Sequence, residues 1–210
     1  MTGVLDFGIG NIASILNMIE CVHGKGMAVH TAEELALCKR LILPGVGAFD
    51  AGMSLLNLSG MRNALDKAVA NGIPLLGICL GMQMLGFSSE EGDAQGLGYI
   101  PFRLQKFRLQ DHSLKIPHMG WNSVNLSKPD HPLTVGLAED ARFYFVHSYH
   151  AVMENDAHVF MTCDYGGDFP AAVCRGNVFG TQFHPEKSHR FGKCLIRNFI
   201  HIQAQEGEAC

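Results

Sequence analysis

A cysteine and a histidine, each at the end of a short apolar run, are the residues of this 210-residue chain best suited to chemistry. The segment Leu75-Leu76-Gly77-Ile78-Cys79-Leu80-Gly81-Met82-Gln83 passes from the pattern of a buried strand into that of a helix. Cys79 stands at the junction, with a glycine two residues away on either side. This G-x-C-x-G spacing is the thiol form of a nucleophile elbow. The glycines admit a turn so tight that its central residue is strained and presents its side chain above a sheet. The N-terminus of the following helix favours negative charge on the sulfur. A thiol nucleophile needs a base. Among the eleven histidines, His184 has the setting for one, in Gly180-Thr181-Gln182-Phe183-His184-Pro185-Glu186. A strand precedes it, Pro185 stops that strand, and Glu186 can reach back to orient the imidazole and stabilise its cation. Each pattern alone has a plain alternative, a buried cysteine between packing glycines or a histidine in a surface turn. Taken together they point to a Cys–His–Glu arrangement at the strand ends of one sheet.

Regular elements must bring these distant segments together. Gly3–Phe7 reads as a short strand ending in the turn Gly8-Ile9-Gly10-Asn11. A helix follows through about Gly24, with Ile12, Ile15, Leu16 and Ile19 at helical spacing. Met27–His30 is a second strand, Ala32–Cys38 a helix, and Arg40–Leu43 a strand stopped by Pro44-Gly45-Val46-Gly47. Helices are expected over Ala48–Leu58 and Met61–Asn71, the latter ended by Gly72, then a strand Pro74–Ile78 and a helix Leu80–Phe87. This alternation predicts an α/β fold with a mostly parallel sheet and helices on both faces. The second half reads as antiparallel ribbons, from strands at Phe102–Leu109, Trp121–Leu126, Phe143–His147, Ala157–Cys163, Ala171–Cys174 and Val178–Gln182. Lys187–Gln203 closes the chain as a helix with Cys194, Leu195, Asn198, Phe199 and Ile202 on one face, and Gln205–Cys210 is expected to fray. With no repeat or linker in sight, residues 1–210 read as one domain.

Composition excludes several classes of function. Hydrophobic residues at 47% against 17% charged residues argue against a disordered chain. A net charge of −4, with no basic run longer than two residues, argues against a nucleic-acid groove or an anionic membrane surface as the main partner. Seven cysteines, an odd number without a C-x-x-C pair, fit neither a zinc site nor a redox dithiol. The longest apolar stretch, Ile73–Phe87, is too short to span a membrane and contains Pro74 and Gln83. Asp6 interrupts the first apolar run, which does not suit a secretory signal, so a reduced, cytoplasmic protein is expected.

The elbow Gly77–Gln83 and the segment Gln182–Ser188 (Q-F-H-P-E-K-S) resemble those of the class I (triad) glutamine amidotransferases. Leu43–Phe49 (L-P-G-V-G-A-F), Pro117–Asn122 (P-H-M-G-W-N) and Phe143–Tyr149 (F-Y-F-V-H-S-Y) narrow the resemblance to the glutaminase subunits of imidazole glycerol phosphate synthase. It runs from Asp6-Phe7-Gly8-Ile9-Gly10-Asn11 to the final helix. It departs at Phe7, where tyrosine is frequent, and at Ile12, where leucine is. The resemblance implies a flavodoxin-like fold in which Cys79 attacks the side-chain amide carbon of glutamine, His184 carries protons and Glu186 holds His184. It implies oxyanion donors at the backbone N–H of Leu80 and of Val46 or Gly47, and the Gly45-Val46-Gly47 run permits the second to form only in the active complex. It implies a glutamine pocket of Gly47, Gln83, Glu91, Ser148 and Tyr149, with Glu91 toward the substrate ammonium and Ser148 and Tyr149 acting through their backbone. His147 and His150 are then structural.

The resemblance further implies a heterodimer with a (β/α)₈-barrel cyclase subunit, HisF, to which ammonia passes for imidazole glycerol phosphate and aminoimidazole carboxamide ribotide synthesis. Asn11, Pro117, His118, Met119, Gly120, Trp121, Asn122, Tyr144 and Lys187 would lie at that interface, although Trp121 could instead be core. Neither a metal nor a cofactor is implied. Two alternatives stay open. Relatives of these subunits supply ammonia to sugar-amidinating synthases of bacterial surface polysaccharide, and Lys187–Gly192 and Tyr165–Phe169 resemble that branch at least as well as the histidine branch. Cysteine peptidases or deglycase-like enzymes on a similar sheet also use an elbow cysteine, but the order His184-Pro185-Glu186 and the Leu43–Phe49 loop argue against them.

Overall fold

Apolar runs of four to six residues, separated by amphipathic helices, set up a parallel sheet in the first half of the chain. A computed structural model describes residues 1–203; the tail expected at Gln205–Cys210 lies outside them. The strands are β1 (Thr2–Leu5), β2 (Gly26–Val29), β3 (Arg40–Gly45), β4 (Leu75–Cys79), β5 (Ser88–Ser89), β6 (Phe102–Lys106), β7 (His118–Ser123), β8 (Asn125–Leu126), β9 (Arg142–His147), β10 (Tyr149–Met153), β11 (Val159–Asp164), β12 (Asp168–Arg175) and β13 (Val178–Thr181). The helices are α1 (Ile12–Cys21), α2 (Ala32–Ala36), α3 (Phe49–Leu58), α4 (Arg62–Ala70), α5 (Leu80–Met84) and α6 (His189–His201).

The main sheet has eight strands in the order β2-β1-β3-β4-β13-β12-β11-β8. Its first five are mutually parallel and follow a flavodoxin-like order; the remaining three extend it antiparallel. Successive residues of each strand face opposite sides. Val4, Ile42, Leu76, Ile78 and Phe179 join α1 and α6 in one core, while Leu5, Leu41, Leu43, Leu75 and Val178 join α2, α3, α4 and α5 in the other. Fully buried residues such as Leu76, Phe183 and Phe199 contribute about 1.5–3 kcal/mol each by leaving water. Two small sheets, β10-β6-β5 and the ribbon β7-β9, wall the carboxyl ends of β4 and β13.

The antiparallel half differs most from expectation. Trp121–Leu126 is not one strand. β7 starts three residues earlier and pairs with β9, whereas β8 pairs with β11 at the edge of the main sheet. Buried Val124, whose N–H donates to the Ala141 carbonyl at 3.0 Å, marks the crossing between sheets. β10 is unanticipated because only Ala151 of its five residues is buried. β6 stops at Lys106, after which Phe107 turns into an aromatic cluster. Residues 157 and 158 belong to a 3₁₀ turn, Asp156–His158, capped by Asn155. The helix expected to reach Phe87 ends at Met84, and at Gly86 a Cβ would lie 2.4 Å from the Phe102 ring. The closing helix starts at His189 after a 3₁₀ turn, Pro185–Lys187. A Cβ at Gly192 would lie 1.8 Å from the Pro185 carbonyl oxygen, and this close approach sets the rotation of α6. Phe191, Leu195, Ile196 and Phe199 are therefore buried, with Cys194, Asn198 and Ile202 only partly so.

Candidate active site

Cys79 ends β4 with φ +55°, a left-handed conformation that costs a non-glycine residue energy and turns its side chain out of the strand. Both flanking glycines are required by contact. A Cβ on Gly81 would sit 1.8 Å from the Leu43 carbonyl oxygen, and one on Gly77 would sit 2.7 Å from backbone atoms of Gly81 and Met82. The sulfur lies 3.9 Å from the Val146 carbonyl oxygen, and the Gln182 side-chain amide approaches it at 3.9 Å.

β13 is the parallel neighbour of β4, so the chain leaving its carboxyl end carries His184 into the same cavity as Cys79. The His184 N–H donates to the Tyr144 carbonyl at 2.9 Å. Buried Ser188 closes the turn, its hydroxyl donating to the His184 carbonyl at 2.6 Å and accepting from the Tyr144 N–H at 3.1 Å. His184 Nδ1 lies 2.7 Å from Glu186 Oε1, with the two side chains only 2% and 3% exposed. The other atoms of the pair, His184 Nε2 and Glu186 Oε2, are buried without a hydrogen bond. Burial disfavours the imidazolium. The Cys79 sulfur and the Glu186 carboxylate outweigh that cost, and the pKa of His184 is raised to about 9.

The cavity measures about 290 Å³ and is lined by Val46, Gly47, Cys79, Leu80, Gln83, Glu91, Pro117, Val146, His147, Ser148, Tyr149 and His184. Every pocket and oxyanion residue expected from the sequence is thus brought together, with Cys79 and His184. Gln83 donates to the Tyr149 carbonyl at 3.3 Å and to Gln182 Oε1 at 3.1 Å. Glu91 reaches toward α3 and accepts the Phe49 N–H at 2.8 Å. Gly47 has φ +108°, a conformation that glycine adopts without the cost a side chain would add. Among the described residues no group of three or more His, Cys, Asp or Glu is arranged to hold a metal ion, and no helix is long and apolar enough to cross a membrane. A second cavity of about 330 Å³, lined in part by Pro74, Asn177 and Phe179, lies where β4 and β13 begin, away from the cysteine.

The residues assigned to a partner surface divide. Met119 and Trp121 are exposed, at 62% and 44%, so Trp121 is not core; its ring stacks on His189 at 5.4 Å. Pro117 is exposed, and Gly120 and Asn122 are partly buried. The Lys187 ammonium lies over the Tyr144 ring at 5.4 Å. Asn11 is exposed, but its side chain caps α1 by accepting the Ser14 N–H. His118 presents no surface: it is 3% exposed and its Nδ1 lies 3.1 Å from His147 Nε2. Alternation along β7 turns it inward. Sequence reasoning overlooked Gln182 and Ser188. Both bound the segment Gln182–Ser188 that carries the resemblance around His184, but only the fold shows what their side chains hold.

Residues 4–202 match the family described as Glutamine amidotransferase class-I. A Pseudomonas aeruginosa protein named imidazole glycerol phosphate synthase subunit HisH 2 is 48% identical over 96% of this chain and all of its own length. The protein named subunit HisH from Leptospira borgpetersenii is 47% identical, again over 96% of this chain and all of its own. Two solved structures share the fold at 22% identity: one titled glutamine amidotransferase, with a TM-score of 0.71, and PurLQS from Thermotoga maritima, with 0.72. Each covers 95% of this chain and is itself covered to 96%. Similarity of this extent, over a sheet that carries a cysteine elbow beside a buried histidine–carboxylate pair, makes the chain a member of the class I glutamine amidotransferases, within the group of imidazole glycerol phosphate synthase HisH subunits.

Proposed function

We propose that this protein hydrolyses glutamine to glutamate and ammonia with Cys79 as nucleophile, His184 as proton carrier and Glu186 as the group that orients and charges His184. The single observation that carries the reading is the buried His184–Glu186 pair at 2.7 Å, set beside a cysteine held at φ +55°. The Cys79 sulfur attacks the amide carbon and the C–N bond breaks. His184 delivers the proton that lets ammonia leave, and then takes one from the water that cleaves the thioester. Each tetrahedral intermediate carries an oxyanion, stabilised by the Leu80 N–H and by the N–H of Val46 or Gly47. Gly47, Gln83, Glu91, Ser148 and Tyr149 bind the glutamine, Glu91 taking the ammonium.

Ammonia is consumed by a partner, a (β/α)₈-barrel cyclase of the HisF kind, in the cytoplasmic synthesis of imidazole glycerol phosphate for histidine. The names of the relatives support this assignment. Exposed Met119 and Trp121, with Lys187 and Tyr144, form the side that meets it. The test is glutamate release from glutamine by the isolated chain, and again with a HisF barrel and its nucleotide ligand. Weak hydrolysis alone and strong stimulation in the complex are expected, since one missing oxyanion donor lowers kcat by about 10²–10³. Full activity in the isolated chain contradicts the late-forming donor. Complementation of a histidine auxotroph lacking its own glutaminase subunit decides the pathway. Growth that is lost with Cys79→Ala supports histidine synthesis, and failure with soluble protein moves the chain to another ammonia acceptor.

A further inference from the structure

The loop after β5 and the start of α3 hold each other by their carboxylates. Helix α3 has no side-chain cap of its own, because its N-cap residue is Ala48. Its first N–H, that of Phe49, is instead accepted by Glu91 Oε2 at 2.8 Å from the other segment. In return Asp50, the second residue of α3, receives the Asp93 N–H on Oδ2 and the Ala94 N–H on Oδ1, each at 3.0 Å. Ser89 Oγ accepts the Glu91 N–H at 3.0 Å. Gly92 lies directly against this clasp: a Cβ there would be 2.2 Å from Asp50 Oδ1. Phe49 follows Val46 and Gly47 by only two or three residues, and those two share the cavity with Glu91.

We infer that Asp50 is a positioning residue for glutamine recognition. It fixes the loop so that Glu91 keeps one oxygen on the Phe49 N–H and offers the other to the substrate ammonium. The inference rests on the reading of this cavity as a glutamine site. The role is indirect, since Asp50 itself does not line the cavity.

The test compares L-glutamine with glutaramate, the same amide without the α-ammonium, in the complex with the barrel subunit. Asp50→Ala is expected to raise KM for glutamine about tenfold or more while kcat changes much less, since two hydrogen bonds to a charged group are lost. The loss in kcat/KM with glutamine exceeds that with glutaramate by the same factor. Asp50→Asn keeps one acceptor and recovers part of the loss. Asp50→Ala combined with Glu91→Ala is no worse than the poorer single variant, because both act through one carboxylate. A second readout needs no turnover: amide hydrogen exchange at Asp93 and Ala94, and at Phe49, accelerates in Asp50→Ala. Equal losses on both substrates, additive losses in the double variant, or unchanged exchange overturns the inference. Absence of glutamine turnover in the wild-type complex overturns the glutaminase reading and the substrate role with it, and in that case the exchange result still separates the clasp from the activity.

Discussion

His184 and His147 line the same cavity, 2% and 5% exposed, yet they are driven to opposite protonation states. The pKa of His184 is raised to about 9, burial being outweighed by the Cys79 sulfur and the Glu186 carboxylate. That of His147 falls to about 3, chiefly through burial, with repulsion from the protonated forms of His118, His150 and His184 adding to it against a hydrogen bond to the Tyr149 carbonyl. His118 falls to about 4 through burial, and burial lowers His150 as well. Around this cluster lie mainly aromatic faces, and the one carboxylate that acts on it, Glu90 beside His150, is outweighed by burial. The His118 ring stacks on Tyr165 at 3.9 Å and on Phe145 at 4.8 Å, and His150 stacks on Phe107 at 4.8 Å. Burial alone makes a histidine a neutral hydrogen-bonding strut; a buried carboxylate with the cysteine sulfur beside it favours the charged form instead.

The largest test of this contrast is activity. His184→Ala should lower glutamine turnover by a factor on the order of 10⁴–10⁶, as loss of a triad base does. His147→Gln, which keeps a donor for the Tyr149 carbonyl, should cost about tenfold or less. Comparable losses in the two would erase the distinction. A smaller but sharper effect is expected of Glu186→Gln. It preserves shape, lowers kcat by about 10³–10⁴, and returns the His184 titration, followed by NMR of the ring protons, toward the range of an ordinary histidine.

Stability against pH offers the smallest and most discriminating measurement. His147 and His118 titrate at about 3 and 4 in the fold, below the value near 6.5 of an unfolded histidine, so between those values the unfolded chain binds more protons. Their contribution is present above about pH 6.5 and is lost as pH falls, to about 4 for His118 and to about 3 for His147. The folded pKa of His184, about 9, lies above the unfolded value; its contribution is complete below about pH 6.5 and is lost as pH rises through 9. Urea midpoints should therefore peak near neutrality. His118→Phe should flatten the acid limb and Glu186→Gln the alkaline one. An acid limb that survives His118→Phe unchanged would assign it to other groups.

Local rules were enough to mark the elbow and to pair His184 with Glu186, two residues apart, although the contact that forbids a side chain at Gly81 comes from Leu43 on β3. Short continuous apolar runs, with helices between them, likewise carried the parallel half of the sheet. The second half resisted for a physical reason. β10 has one buried residue in five, and β7 and β8, adjacent in the chain, enter different sheets at a single buried valine. Residue types and spacing were thus sufficient to single out the candidate nucleophile and base and to place the parallel strands, since each depends on neighbours in the chain; the order of those strands in the sheet does not. Which histidine is charged, which way Glu91 faces and whether His118 meets solvent depend on groups delivered from distant elements: Cys79 to His184, Phe49 to Glu91 and β9 to β7. Electrostatics and burial act through space, so only the packed tertiary structure decided them.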